Sequence, residues 1–119
     1  VRPRKMFRSN AEDFIREVTR ASFTTTHERV RVQVLTLLHG VSLGTASVIL
    51  HFCSPDPYPI LDPLSLWSLQ AQPPQKFDFE FWIEYGKVTR KVSKQAKRDM
   101  RTLDRALWQY AHENNAARV

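Results

Sequence analysis

Residues 38–46 read Leu-His-Gly-Val-Ser-Leu-Gly-Thr-Ala, lie between two apolar segments, and are followed at a distance by the carboxylate of Asp62. Gly40 is able to adopt the positive φ of a tight turn. A helix that begins near Gly44 leaves its first N–H groups without intrahelical partners, which makes its start an anion site. The sequence therefore predicts a hairpin that offers backbone donors to a phosphate. The predicted hairpin residues are His39, Gly40, Val41, Ser42, Gly44 and Thr45.

Asp62 allows two interpretations, and both stay open at this point. A carboxylate beside a nucleic acid can stabilise the positive charge that develops on a sugar when its N-glycosidic bond breaks, and it can orient a water. Asp62 also precedes Pro63, which is typical of an N-cap followed by proline at the first helical position. The two roles do not exclude each other.

The wider pattern resembles the helix-hairpin-helix family of DNA glycosylases. In that family, Leu-Pro-Gly-Val-Gly-x-x-Thr-Ala is followed by an extended connector and a catalytic aspartate. The stretch Tyr58-Pro59-Ile60-Leu61-Asp62 is similar to that connector and aspartate, and the resemblance covers about residues 34–69. The hairpin positions that match the family pattern are Leu38, Gly40, Val41, Thr45 and Ala46.

The resemblance implies a DNA glycosylase that excises a damaged or modified base and leaves an abasic site, with Asp62 as the catalytic residue. It implies no cofactor, apart from a monovalent cation at the hairpin when DNA is bound. Three departures matter. Only about 30 residues precede the hairpin helix, far fewer than in typical members, so the part of the fold that usually completes the base pocket is expected to be reduced or missing. Ser42 replaces the second hairpin glycine, and Gly44 stands where bifunctional members carry a Schiff-base lysine, so we expect no lysine-dependent lyase activity.

A flipped base needs a pocket of aromatic or apolar side chains. Core packing is the alternative for each aromatic residue near Asp62, most of all for Trp82, which lies in a dense aromatic cluster. The candidates for a base pocket are Tyr58, Trp67, Trp82 and Tyr85.

The charge of this chain is segregated. The net charge is +6, residues 1–9 hold four basic and no acidic residues, and residues 87–101 hold seven basic residues against Asp99 alone. Such segregation favours a polyanion, here double-stranded DNA, although two solvated surfaces are the simpler alternative. Four of the phosphate-contact candidates share one helix face at i, i+3, i+4 and i+7. The candidates are Lys87, Arg90, Lys91, Lys94, Lys97 and Arg98.

The apolar spacing is helical throughout, so we predict a compact all-α bundle of about six helices that contains a helix-hairpin-helix motif. Residues 1–9 are expected to form a flexible basic arm, and residues 10–115 a single domain. Asn10 and Thr25 are the predicted N-caps of the first two helices, with Gly40 ending the second. The predicted helices cover about residues 10–22, 25–39, 44–52, 63–69, 79–92 and 100–113.

Other classes of function are disfavoured. Cys53 is the one cysteine, so neither an internal disulfide nor a four-cysteine site is expected, and it is predicted to be a buried thiol. The histidines lack metal-ligand spacing, so we predict no metal. No apolar run approaches a membrane span, and we expect an intracellular, nucleoid-associated protein. The alternatives to an enzyme are a non-catalytic DNA-binding module, or a subunit whose pocket is completed by a protein partner or a second copy.

Overall fold

The structure, a computed structural model, describes residues 2–72 and 74–115, and every helix or strand assigned within them is an α-helix. The all-α prediction is confirmed. Val1 of the predicted arm and Pro73 lie outside the described residues. The seven helices are α1 (Arg2–Arg8), α2 (Glu12–Thr24), α3 (Glu28–Leu35), α4 (Leu43–Cys53), α5 (Pro63–Ser68), α6 (Phe79–Ala96) and α7 (Met100–Asn115).

The chain divides into two compact units, unit 1 (Val1–Ser54) and unit 2 (Pro55–Val119), where the sequence predicts one domain over residues 10–115. The boundary falls at the start of a proline-rich segment, Ser-Pro-Asp-Pro-Tyr-Pro. Each proline disfavours helix in the residue before it, which accounts for the extended chain between α4 and α5.

In unit 1, α2 packs on α3 and α3 packs on α4. Ser22, buried on α2, donates its hydroxyl to the carbonyl oxygen of Arg31 on α3 at 2.8 Å, so the polar group at this contact is satisfied. The buried apolar residues of unit 1 are Val18, Val32, Leu35, Leu38, Val41, Ala46 and Leu50.

Both predicted N-caps of unit 1 are wrong. α2 begins at Glu12 after Ala11, which offers no side-chain cap, because the amide of Asn10 bonds to the hairpin instead. α3 is capped by His27, whose Nδ1 accepts from the N–H of Val30 at 3.4 Å. Thr25 lies two residues earlier, and its hydroxyl accepts from the N–H of His27 at 3.1 Å.

Residues 2–8 form α1, where the sequence predicts a flexible arm; the mobility of this segment stays a prediction. Cys53 is exposed, so its predicted burial is wrong. It is the last residue of α4, and the buried side chains of that helix, Ala46, Ser47 and Leu50, all lie before it.

In unit 2, α7 packs against both α5 and α6. Ser68 at the end of α5 donates to the carbonyl oxygen of Leu107 at 2.5 Å. Asp99 caps α7 as predicted, accepting from the N–H of Thr102 at 2.7 Å. Hydrogen bonds from the side chain of Thr102 and from its backbone N–H lower the pKa of Asp99. The buried apolar residues of unit 2 are Tyr58, Leu61, Leu66, Trp82, Tyr85, Met100, Leu103 and Ala111.

The helices of the described residues include none that is both long enough and apolar enough to cross a bilayer.

Gly86 gives a test of the fold that does not depend on function. It lies within α6, where glycine costs roughly 0.5–1 kcal/mol relative to alanine, and an added Cβ would meet only Arg90, at 3.5 Å from its Nη1 atom. Gly86→Ala is expected to raise the free energy of unfolding by about that amount. Urea unfolding followed by helical circular dichroism measures it. Gly40→Ala, at φ 88°, is the matched control and should lower stability.

Candidate functional site

The predicted hairpin lies within unit 1, in the loop of residues 36–42 between α3 and α4. α3 ends five residues before Gly40, because the N–H groups of the next three residues bond i−3 carbonyls and tighten the chain. Gly40 has φ 88°, the left-handed conformation that the sequence predicts for it. Leu38 and Val41 on either side are buried, and the N–H of Val41 donates to the carbonyl of Leu38 at 3.1 Å. The turn is thus anchored by its apolar residues.

The start of α4 provides the predicted donors. Ser42 is its N-cap with φ −86°, an ordinary conformation, so serine in place of glycine causes no backbone strain here. Its hydroxyl accepts from the N–H of Thr45 at 3.3 Å. The N–H groups of Leu43 and Gly44 come before the first intrahelical bond of α4, and no acceptor among the described residues pairs with them. These donors are the geometry expected of an anion site.

His39 is held from two sides by the junction between α1 and α2. Its backbone N–H donates to Asn10 Oδ1 at 2.9 Å, and its carbonyl accepts from Asn10 Nδ2 at 3.0 Å. Its ring Nδ1 lies 2.9 Å from the hydroxyl of Ser9. The sequence does not predict the contact of Asn10 with His39, because the two residues are 29 positions apart and no local pattern indicates such a contact.

Asp62, in unit 2, caps α5 as predicted. Its Oδ1 accepts from the N–H groups of Leu64 at 2.7 Å and Ser65 at 3.2 Å, and its Oδ2 accepts from the Ser65 hydroxyl at 3.0 Å. A carboxylate has about four acceptor sites, so three are already taken. The side chain is partly exposed and its orientation is fixed by the cap. A catalytic role stays a prediction.

Three of the four base-pocket candidates are buried in the core of unit 2. Tyr58 and Trp82 stack with ring centroids 5.4 Å apart, and each is 2% exposed. Tyr85 is 5% exposed and donates its hydroxyl to the carbonyl of Ile60 at 2.9 Å. The physical reason is their position in unit 2, where they supply much of the core volume. The core interpretation, which the sequence left open, is the one that these contacts favour.

Trp67, the fourth base-pocket candidate, borders a cavity. Its ring centroid lies 5.9 Å from that of Tyr110, and the cavity has a volume of about 440 Å³. Asp62 is not among the described lining residues, because it stands at the opposite end of α5 from Trp67. The remaining lining residues are Ser68, Gln70, Ala71 and Gln72.

The four phosphate-contact candidates of α6 lie along one groove of unit 2, with a volume of about 500 Å³. Arg90 is fixed within it, since its Nε donates to the carbonyl of Pro57 at 3.0 Å and its guanidinium lies 5.2 Å from the ring centroid of Tyr58. The described residues that line the groove include no carboxylate. They are Pro57, Lys87, Arg90, Lys91, Ser93, Lys94 and Met100.

The other two candidates, Lys97 and Arg98, end α6. Lys97 has φ 55°, and the N–H of Arg98 donates to the carbonyl of Ser93 at 3.1 Å. The Ser93 hydroxyl donates in return to the carbonyl of Arg98. This is a Schellman-type helix end with lysine in the position that usually holds glycine. Both side chains are exposed beyond the groove.

The described residues contain no group of three or more His, Cys, Asp or Glu side chains that could hold a metal ion. No family model, curated protein or solved structure matches the chain. The resemblance to the helix-hairpin-helix glycosylases therefore stays a prediction that depends on residues 34–69.

Tyr85 gives a prediction about pH. Burial raises its pKa far above the usual value near 10, so the phenol keeps its proton in the folded chain at a pH where the unfolded chain has lost it. The free energy of unfolding should therefore fall as the pH rises above about 10. In Tyr85→Phe, the free energy of unfolding should not show this decrease at high pH. The substitution also removes the hydrogen bond to the Ile60 carbonyl, which is worth about 1 kcal/mol.

We expect the wild type to be more stable than Tyr85→Phe at pH 8, and the difference to shrink by pH 11. Urea unfolding at both pH values measures it. Tyr110→Phe is the control because that ring is 53% exposed. A difference that stays constant over this pH range would contradict the assignment.

Proposed function

We propose that this protein binds double-stranded DNA through its phosphate backbone. The observation that carries the proposal is the groove beside α6, where Lys87, Arg90, Lys91 and Lys94 line one concavity. A surface of one charge sign that is set in a concavity concentrates the opposite charge. Lysine and arginine side chains that neutralise phosphates supply most of the affinity of sequence-independent DNA binding.

The dimensions of the groove suit a strand of phosphates. Lys87 and Lys94 are seven residues apart, about 10 Å along a helix, which is the rise of about three nucleotides in one strand of duplex DNA. Lys87 lies 3.4 Å from Glu84, an exposed pair that is worth little in water and leaves the lysine available. Lys91 and Lys94 have no carboxylate partner among the described residues.

The hairpin of unit 1 supports the same proposal independently. The N–H groups of Leu43 and Gly44 are donors at the positive end of the α4 dipole, where a phosphate oxygen is favoured. Backbone donors contact phosphates without reading bases, so both surfaces predict binding with little sequence preference. An intracellular location on the nucleoid belongs to the same proposal.

Salt dependence tests the proposal. In a Lys91→Ala/Lys94→Ala protein, the slope of log K against log salt for a labelled duplex should fall by about 1.8, since each phosphate contact contributes about 0.9. Fluorescence anisotropy between 50 and 200 mM salt measures it. Arg16→Ala/Arg20→Ala removes the same charge from residues already paired with Glu12 and Glu17, at 2.6 and 2.9 Å, and should leave the slope unchanged.

No binding of the unsubstituted protein to duplex DNA at 50 mM salt would refute the proposal. Tighter binding to duplex RNA or to single-stranded DNA than to duplex DNA would show that double-stranded DNA is not the preferred partner. Equal effects of the two double substitutions would show that only net charge matters and that the groove has no special part.

Base excision is the second candidate, and the observation that favours it is the fixed orientation of the partly exposed Asp62 carboxylate. Asp62→Asn separates its two roles, because asparagine caps a helix about as well as aspartate but lacks the charge. With duplexes that carry damaged or modified bases, followed by hot alkali, we expect the wild type to leave abasic sites. Asp62→Asn should lower that rate about a hundredfold or more.

Asp62→Ala is the control for the cap, since it loses both the charge and the capping bonds and should also lower stability by about 1 kcal/mol. Base release at the wild-type rate by a folded Asp62→Asn protein would exclude the catalytic role. Salt-sensitive binding with no release from any duplex would leave a non-catalytic DNA-binding module, or a subunit that needs a protein partner.

A further inference from the structure

Helix α1 is joined to the hairpin by side-chain bonds that the proposed function does not use. The side chains of Ser9 and Asn10 first close the end of α1: the Ser9 hydroxyl donates to the carbonyl of Met6 at 2.6 Å, and Asn10 Nδ2 donates to that of Phe7 at 2.8 Å. The same two side chains then contact His39, which directly precedes Gly40. The last turn of α1 and the hairpin therefore share one hydrogen-bond network.

The Asn10 amide makes three hydrogen bonds in this network. Both Nδ2 hydrogens have carbonyl acceptors, those of Phe7 and His39, and Oδ1 accepts the N–H of His39. The backbone partners also fix the orientation of the amide, because the reversed amide would set donor against donor and acceptor against acceptor. Asn10 thus both donates to and accepts from the backbone of His39, and this pair of bonds fixes the end of α1 beside His39.

The charged residues of α1, the helix that this network joins to the hairpin, are all basic. Arg4, Lys5 and Arg8 of α1 are exposed, and none has a carboxylate partner among the described residues. Arg4 and Arg8 are one turn apart, about 6 Å along the axis, which is close to the rise of two nucleotides in one strand. Arg8 is the last residue of α1 and precedes Asn10 by two residues.

We infer that α1 is part of the hairpin's DNA-binding surface and that Asn10 is the positioning residue that keeps it there. The inference rests on the proposed function and adds to it a second phosphate-binding element within unit 1. A basic segment that is docked in advance has already lost most of its conformational freedom, so DNA binding need not order it. Asn10 thus acts through the placement of Arg4, Lys5 and Arg8, without contacting DNA itself.

A double-mutant cycle tests this inference with a labelled 20-base-pair duplex and anisotropy at several salt concentrations. Arg4→Ala/Lys5→Ala/Arg8→Ala should lower the slope of log K against log salt by about 2 to 3. Asn10→Ala should weaken binding in the wild type and have much less effect when the three basic residues are absent. Asn114→Ala, which removes an exposed asparagine bond to Tyr110 on α7, is the matched control and should have no effect.

Each outcome decides a different point. An unchanged slope in the triple substitution, with binding retained, overturns the inference and leaves the proposed function intact. Equal weakening by Asn10→Ala in both backgrounds shows that Asn10 supports only the hairpin, which also overturns it. If the unsubstituted protein binds no duplex, the proposed function fails and the inference fails with it. The triple substitution alters exposed side chains only, so it keeps the test decisive even if Asn10→Ala does not fold.

Discussion

The conformation of Gly40 is the constraint on which the architecture of unit 1 depends. A positive φ at this residue lets the chain reverse within a few residues after α3, and it does so while Leu38 and Val41 both remain buried. Any other residue would pay for that conformation in backbone strain. Because the two apolar side chains are fixed in the core, the backbone donors that follow at the start of α4 are fixed as well. The hairpin is thus positioned by the packing of its apolar residues together with the hydrogen bonds between His39 and Asn10.

Unit 2 uses a related arrangement with an aromatic core. The stack of Tyr58 on Trp82 is buried, and Arg90 lies over the Tyr58 ring, with its Nε bonded to the Pro57 carbonyl. A long cationic side chain normally loses much rotamer freedom when it binds a ligand. Here the core has restricted Arg90 before any ligand arrives. The buried Tyr58 ring therefore helps to hold Arg90 in place along the groove.

The sequence predicts well the features that local physics decides. The helical class, the capping of α5 by Asp62 and of α7 by Asp99, and the left-handed Gly40 all follow from short patterns. It fails where a contact joins distant segments. Asn10 has the residue type of an N-cap, yet its amide bonds to a residue 29 positions away, and α2 begins without a side-chain cap as a result. Burial of the aromatic candidates depends likewise on tertiary packing.

The orientation of Asp62 and the burial of the aromatic side chains also bear on the choice between DNA binding and base excision. Catalysis by Asp62 needs a carboxylate that is held in one orientation and still has an open acceptor site for a water. The three hydrogen bonds to Asp62 fix its orientation, and they leave about one of its four acceptor sites open. It also needs a pocket that holds the extruded base. Tyr58, Trp82 and Tyr85 are buried in the core, and Trp67 borders a cavity. Phosphate binding needs neither condition, because exposed cations and unpaired backbone donors suffice. The contacts within each unit therefore fit the proposed phosphate binding more fully than they fit base excision.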